Sequence, residues 1–83
     1  MATAIDVRNY AIRNFVDPAR RQGISSVTFT ATDIHKGLGL ERRFPLVCSA
    51  IDADKFLDIA KVILVTREGP KQSSTVRWTF DLR

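Results

Sequence analysis

The sequence predicts a small α+β domain in the order helix, strand, helix, helix, strand, strand. Thr3 and Thr30 are each followed three residues later by an aspartate, a spacing typical of a capping box at the start of a helix. Residues 75–82 alternate apolar and polar side chains, as a half-buried strand does. A chain of 83 residues has the size of one domain, so we expect a single unit over 1–83.

The first helix is expected to begin at Thr3 and to be interrupted at Asp17-Pro18, because proline disfavours helical geometry in the residue before it. A short turn through Gln22, closed by Gly23, should follow. On a helical wheel one apolar face contains Ile5, Ala11, Ile12, Phe15, Val16 and Ala19.

The residues from Ile24 to Thr30 alternate and are few, which predicts a short edge strand. The capping box at Thr30 then predicts a two-turn helix in which Gly37 takes the left-handed conformation at the C-terminal end. A tight turn over Leu38 to Leu40 should connect it to the next helix.

Pro45 suits the first turn of the third helix, which we expect to end or kink between Asp52 and Asp54. A short helical piece from Asp54 to Ala60 would follow. The wheel places Leu46, Val47, Ala50 and Ile51 inward and Cys48, Ser49, Asp52 and Lys55 outward, and the last piece should turn Phe56, Leu57 and Ile59 inward.

Two strands complete the prediction. Lys61 to Arg67 is rich in β-branched residues, Glu68 to Ser74 has turn chemistry, and Thr75 to Leu82 alternates. Trp78 should lie in the core, because Val76, Phe80 and Leu82 share its side of the strand.

The charge balance narrows the classes of partner. Thirteen Lys and Arg against nine Asp and Glu give 13 − 9 = +4, which suits a polyanion, although many small domains carry such a charge only to stay dispersed. A single cysteine, no apolar leader and no membrane-length apolar window predict an intracellular protein, cytoplasmic or at the nucleoid or nucleus, without membrane contact.

Catalysis is not expected. The sequence has no glycine-rich phosphate loop and no nucleophile with a histidine and an acid in a known motif. A metal site needs three or four ligands, so we expect His35 to be a surface or cap-neighbouring residue and Cys48 a partly exposed one, with neither cofactor nor metal.

The element order, the turn from Asp33 to Leu40 and the basic loop from Arg67 to Ser74 resemble the winged-helix family of helix-turn-helix DNA-binding domains. The resemblance implies that Pro45 to Asp52 is a recognition helix for the major groove and that the loop between the last two strands is a wing on the DNA backbone or minor groove. The DNA-binding residues it implies are Lys36, Arg42, Arg43, Ser49, Arg67, Lys71 and Gln72.

The expected function is therefore binding of double-stranded DNA, with or without homodimer formation, as a transcriptional regulator or as the targeting module of a larger system. The family also contains protein-interaction adaptors, and the acids Asp52, Asp54 and Asp58 near the recognition helix suit that alternative. RNA is a third candidate partner.

Overall fold

The computed structural model describes residues 2–70 and 73–82, which form four helices and a three-stranded antiparallel sheet. The α+β prediction is confirmed. The first helix is continuous through three segments. In chain order the elements are α1 (Ala4–Ala11), a π-helical segment (Ile12–Val16), α2 (Asp17–Arg21), β1 (Ser26–Thr30), α3 (Ala31–Gly37), α4 (Phe44–Asp52), α5 (Asp54–Ala60), β2 (Val62–Glu68) and β3 (Arg77–Leu82).

Both predicted capping boxes are present. The Thr3 backbone N–H donates to the Asp6 carboxylate (2.9 Å), and the Thr30 backbone N–H donates to Asp33 (3.0 Å). In each case the threonine hydroxyl accepts from the aspartate backbone N–H in return. These local pairs satisfy N–H groups that have no partner within the helix, so they determine where α1 and α3 begin.

The predicted interruption at Asp17-Pro18 is wrong. The chain passes Pro18 by widening into the π-helical segment, where the Asp17 backbone N–H donates to the Ile12 carbonyl five residues earlier. In a regular α-helix the proline ring would crowd the carbonyl four residues back, and the wider turn provides space for it. The helix instead ends at Arg21, and the turn after it is closed by Gly23, which has φ +73°, as predicted.

The π-helical segment also changes which side chains of α1 face the core. Ile5, predicted inward, is 65% exposed, whereas Val7 is fully buried. The wider turn adds about one residue, or roughly 100° of rotation, between α1 and α2. A helical wheel drawn through the whole segment therefore misplaces its first turns.

The sheet order is β1-β3-β2, so β3 is central and β1 is an edge strand, as predicted. In the antiparallel register Phe29 lies opposite Trp78 and Val27 opposite Phe80. These residues face the helices, while Thr28 and Thr79 share a hydrogen bond (3.0 Å) on the outer face.

Aromatic side chains form the centre of the core. The Phe29 ring stacks on Phe15 at 4.9 Å between centroids and lies within 6.4 Å of Phe56, Trp78 and Phe80. Trp78 has no exposed surface, which confirms its predicted place in the core.

Helix α4 ends at Asp52 and α5 follows after Ala53, as predicted. Phe56 is buried and Leu57 half-buried, but Ile59 is exposed, so its inward placement is wrong. Phe56 and Ala60 define the buried stripe of this short helix, and Ile59 lies to one side of it.

The β2 edge exposes three consecutive apolar residues, Ile63, Leu64 and Val65. The pairing with β3 is irregular between Leu64 and Thr66, where a bulge occurs. A bulge bends and twists an edge strand, and this disfavours regular addition of another strand.

Candidate nucleic-acid interface

The turn between α3 and α4 is closed by Gly39 rather than by Gly37. Gly37 remains in the helix, and Gly39 takes the left-handed conformation with φ +66°. The Gly39 backbone N–H donates to the Lys36 carbonyl (3.1 Å), and the Leu40 N–H donates to the His35 carbonyl (3.0 Å). These are the two bonds of a Schellman motif, so the predicted left-handed residue lies two positions later.

His35 holds the far side of this turn. The Arg43 backbone N–H donates to His35 Nε2 (3.2 Å), and the imidazole stacks on the Phe44 ring at 4.0 Å between centroids and an 8° angle. His35 is only 9% exposed, so of the two predicted places the surface is wrong, while a place beside a helix cap is confirmed by its bond to Arg43, the N-cap residue of α4. The imidazole, accepting at Nε2, joins the end of α3 to the start of α4.

Three of the predicted DNA-binding cations lie on this turn or beside it. Lys36 and Arg42 are exposed and Arg43 is half-buried. Arg42 has φ +53°, a conformation rare for a side-chain-bearing residue, at the point where the chain reverses into α4. Since Glu41 is the one acid in residues 35–43, this segment carries 3 − 1 = +2.

Helix α4 presents few polar groups. Pro45, Ser49 and Asp52 are exposed, and Ser49 is the one predicted contact on this helix. Cys48 is fully buried, which corrects its predicted outward placement. The reason is tertiary: the loop before β3 covers this side of α4, and the Cys48 thiol donates to the Ser73 carbonyl (Sγ to O, 3.7 Å).

The environment of Cys48 affects its ionisation. Burial raises the pKa of the Cys48 thiol, and the nearby Asp52 carboxylate raises it further, while the Arg67 charge lowers it. The net direction is upward, which favours the neutral thiol. Cys48 therefore belongs to the packing of α4 and is not a reactive exposed thiol.

Arg67, another predicted contact, is bound within the protein. Its Nε donates to Asp52 Oδ1 at 2.8 Å, and its terminal nitrogens donate to the carbonyls of Gly69 (3.1 Å) and Pro70 (3.3 Å). The hydrogen bond with Asp52 raises the pKa of Arg67. The same Asp52 oxygen accepts from Trp78 Nε1 at 2.8 Å.

Sequence reasoning missed the joint role of Asp52 and Trp78. A lone tryptophan on an alternating strand predicts burial, and a buried indole N–H normally has an acceptor. No local pattern identifies that acceptor as a residue 26 positions earlier.

The remaining predicted contacts, Lys71 and Gln72, lie outside the described residues. Within residues 2–70 and 73–82 no group of three His, Cys, Asp or Glu side chains could hold a metal ion. None of the described helices has the length and apolar character needed to cross a membrane.

Comparison of the chain with known protein families, with curated proteins and with solved structures finds no match. The function is therefore inferred from the residues of this chain and their geometry.

Proposed function

We propose that the chain is a winged-helix domain that binds double-stranded DNA through the α3–α4 turn, as a regulator or a targeting module. The order of the elements and the sheet order β1-β3-β2 are compatible with this fold, in which a helix pair lies beside a two-stranded wing. Helix α4 would then face the major groove, and the β2–β3 loop would lie along the neighbouring backbone.

The observation that carries the proposal is the set of cations on a rigid turn. Lys36, Arg42 and Arg43 lie within eight residues, and the turn that presents them is fixed by Gly39 and by the His35–Arg43 hydrogen bond. Because the backbone of this turn is fixed, less backbone entropy is lost when its cations meet phosphates than would be lost on a mobile loop.

The mode of binding follows from what α4 exposes. Ser49 is its one exposed hydroxyl, and the carboxylate of Asp52 already accepts two hydrogen bonds. A helix with so few donors offers little for reading base edges. Contacts with phosphates should therefore dominate, and discrimination between sequences should be weak.

The interaction with DNA is tested by fluorescence anisotropy on a labelled mixed-sequence duplex of about 20 base pairs, titrated between about 50 and 200 mM salt. Replacing Arg42 and Arg43 by alanine should weaken binding and reduce the slope of log K against log salt by about two, one for each lost phosphate contact. The matched control, Arg13→Ala with Arg21→Ala, removes the same charge from exposed positions of the first helix and should retain most of the affinity.

The wild-type protein failing to bind the duplex at low salt would overturn the proposal. Equal losses in the two double variants would show attraction by net charge alone, without a role for this turn. Tighter binding of a structured RNA of matched charge would favour RNA as the partner.

A protein-interaction adaptor is the second candidate, and one observation favours it. Asp52 pairs with Arg67 and so neutralises a cation between the α3–α4 turn and the β2–β3 loop. The positive surface is therefore not continuous across α4. In this case the exposed cations would meet an acidic protein partner, and no duplex binding would be measured.

A further inference from the structure

One carboxylate oxygen joins three elements of the fold. Asp52 Oδ1, at the last residue of α4, accepts from Arg67 Nε on β2 and from Trp78 Nε1 on β3, each at 2.8 Å. Arg67 and Trp78 are partners in the β2–β3 register, so their side chains lie on the same face of the sheet. The end of α4 is thus bound to the β2–β3 hairpin close to its connecting loop.

Arg67 continues this connection into the loop between β2 and β3. Its guanidinium has three nitrogens, and donors on all three are used within the protein: one on Asp52 and two on the carbonyls of Gly69 and Pro70. The planar geometry of the guanidinium group allows these three bonds to form together, which a lysine ammonium on its flexible stem does not reproduce.

The far end of the loop is also bound to the helix pair. The Thr32 hydroxyl of α3 donates to the Ser74 carbonyl (2.8 Å), and the Ala31 backbone N–H donates to the Val76 carbonyl (2.9 Å). Both ends of the loop are therefore fixed relative to α3 and α4.

We propose that Arg67 is a positioning residue, which with Asp52 fixes the β2–β3 loop relative to the α3–α4 turn and makes no contact with phosphate itself. This role rests on the proposed DNA binding, in which the loop supplies the second contact. It differs from the role that the family resemblance implies, where Arg67 meets the DNA backbone.

Four variants separate the two roles. Arg67→Ala and Arg67→Lys both remove the set of bonds from Arg67 to Asp52, Gly69 and Pro70. Arg67→Lys retains the positive charge. Asp52→Asn keeps an oxygen for Trp78 but removes the ion pair. The control is Arg77→Ala, which removes an exposed arginine from the neighbouring strand.

The first readout is binding to the duplex as salt is varied. We expect Arg67→Ala and Arg67→Lys to lose affinity severalfold with the salt slope unchanged, whereas a lost phosphate contact would reduce the slope by about 0.9. Asp52→Asn should also weaken binding. Rescue by Arg67→Lys, a reduced slope for Arg67→Ala, or tighter binding by Asp52→Asn would each overturn the proposal.

The second readout needs no DNA. Amide hydrogen exchange at Gly69 and over residues 73–76 should be faster in Arg67→Lys and Asp52→Asn than in the wild type and unchanged in Arg77→Ala. The chain has one tryptophan, Trp78, so its indole N–H gives one resonance. This resonance should shift in Asp52→Asn, because its acceptor has changed, and should stay sharp if the core around Trp78 is intact. If the wild type binds no DNA, the proposed function fails, and this exchange still decides whether Arg67 holds the loop; unchanged exchange would show that it does not.

Discussion

At the scale of single residues, Cys48 shows how a side chain on the polar side of a helical wheel becomes buried. Helix α4 packs on α1 and α3, and the residues before β3 cover a further side, where the Ser73 carbonyl meets the thiol. A helix covered on several sides has no simple amphipathic pattern. The pKa of Cys48 is raised mainly by that burial.

The raised pKa of Cys48 predicts a loss of stability at alkaline pH. The neutral thiol is the form that the folded state favours, so its contribution is complete below the ordinary thiol pKa of about 8.5. It is lost as pH rises through the higher pKa of the folded state, because a thiolate must then form in a buried site. Urea unfolding from pH 7 to 10 should therefore show a larger decline for the wild type than for Cys48→Ala.

The comparison with Cys48→Ala isolates this group, since both proteins share every other residue that titrates in the range. Identical declines in the two proteins would contradict the prediction. Ellman's reagent provides an independent check: the native thiol should react far more slowly than the thiol of the urea-unfolded chain at the same pH.

At the scale of elements, the Tyr10 side chain of α1 lies against Gly37 of α3. A Cβ atom at this position would collide with the phenol oxygen and ring of Tyr10. A side chain at position 37 therefore requires the Tyr10 phenol to move, whereas Gly39 is required by its left-handed backbone. The two positions lie two residues apart, and each favours glycine for a different physical reason.

This difference predicts that the effect of Gly37→Ala on the free energy of unfolding changes sign when Tyr10 is replaced, which a double-mutant cycle measures. Gly37→Ala should destabilise the wild type by only about 0.5–1 kcal/mol, because it must move the phenol end of the half-buried Tyr10 side chain off its present rotamer. In a Tyr10→Ala background the same change should be neutral or stabilising, because alanine is the better helix former by up to about 1 kcal/mol. The free energy of unfolding in urea measures both.

The control for this cycle is Gly39→Ala, which should cost about 1–2 kcal/mol in both backgrounds, since the strain lies in its own backbone. An equal effect of Gly37→Ala with and without the Tyr10 side chain would show that Tyr10 does not limit the side chain at position 37.

At the scale of the whole molecule, one hydrophobic core connects all the elements. The buried cluster includes Val7 of α1, Phe29 of β1, Val47 of α4, Phe56 of α5 and Trp78 of β3. Because no element has a separate core, partial unfolding would expose residues that every other element needs. We expect folding to be cooperative.

Calorimetry tests this expectation. With about 0.7 kcal/mol per residue, the chain should unfold in one transition with an enthalpy of roughly 60 kcal/mol, equal to the van't Hoff value. Two resolved transitions would contradict a single cooperative unit. Scans at two protein concentrations also test whether the chain forms a homodimer, because a Tm that rises with concentration indicates association.

Much of the fold could be predicted from the residues because it depends on neighbours along the chain. The capping boxes at Thr3 and Thr30, the end of α4 at Asp52 and the alternation of β3 all involve residues within a few positions. The phase of α1 could not be predicted, since a helical wheel assumes one period and the turn before Pro18 has another.

In the candidate site, too, some features could be predicted from the sequence and others could not. The cations at Lys36, Arg42 and Arg43 follow from residue types around a glycine turn, which the chain shows directly. The partners of His35, Cys48 and Arg67 were decided only by tertiary packing. Arg67 meets Asp52 across 15 positions and Trp78 reaches it across 26, distances along the chain that no helical or strand period encodes.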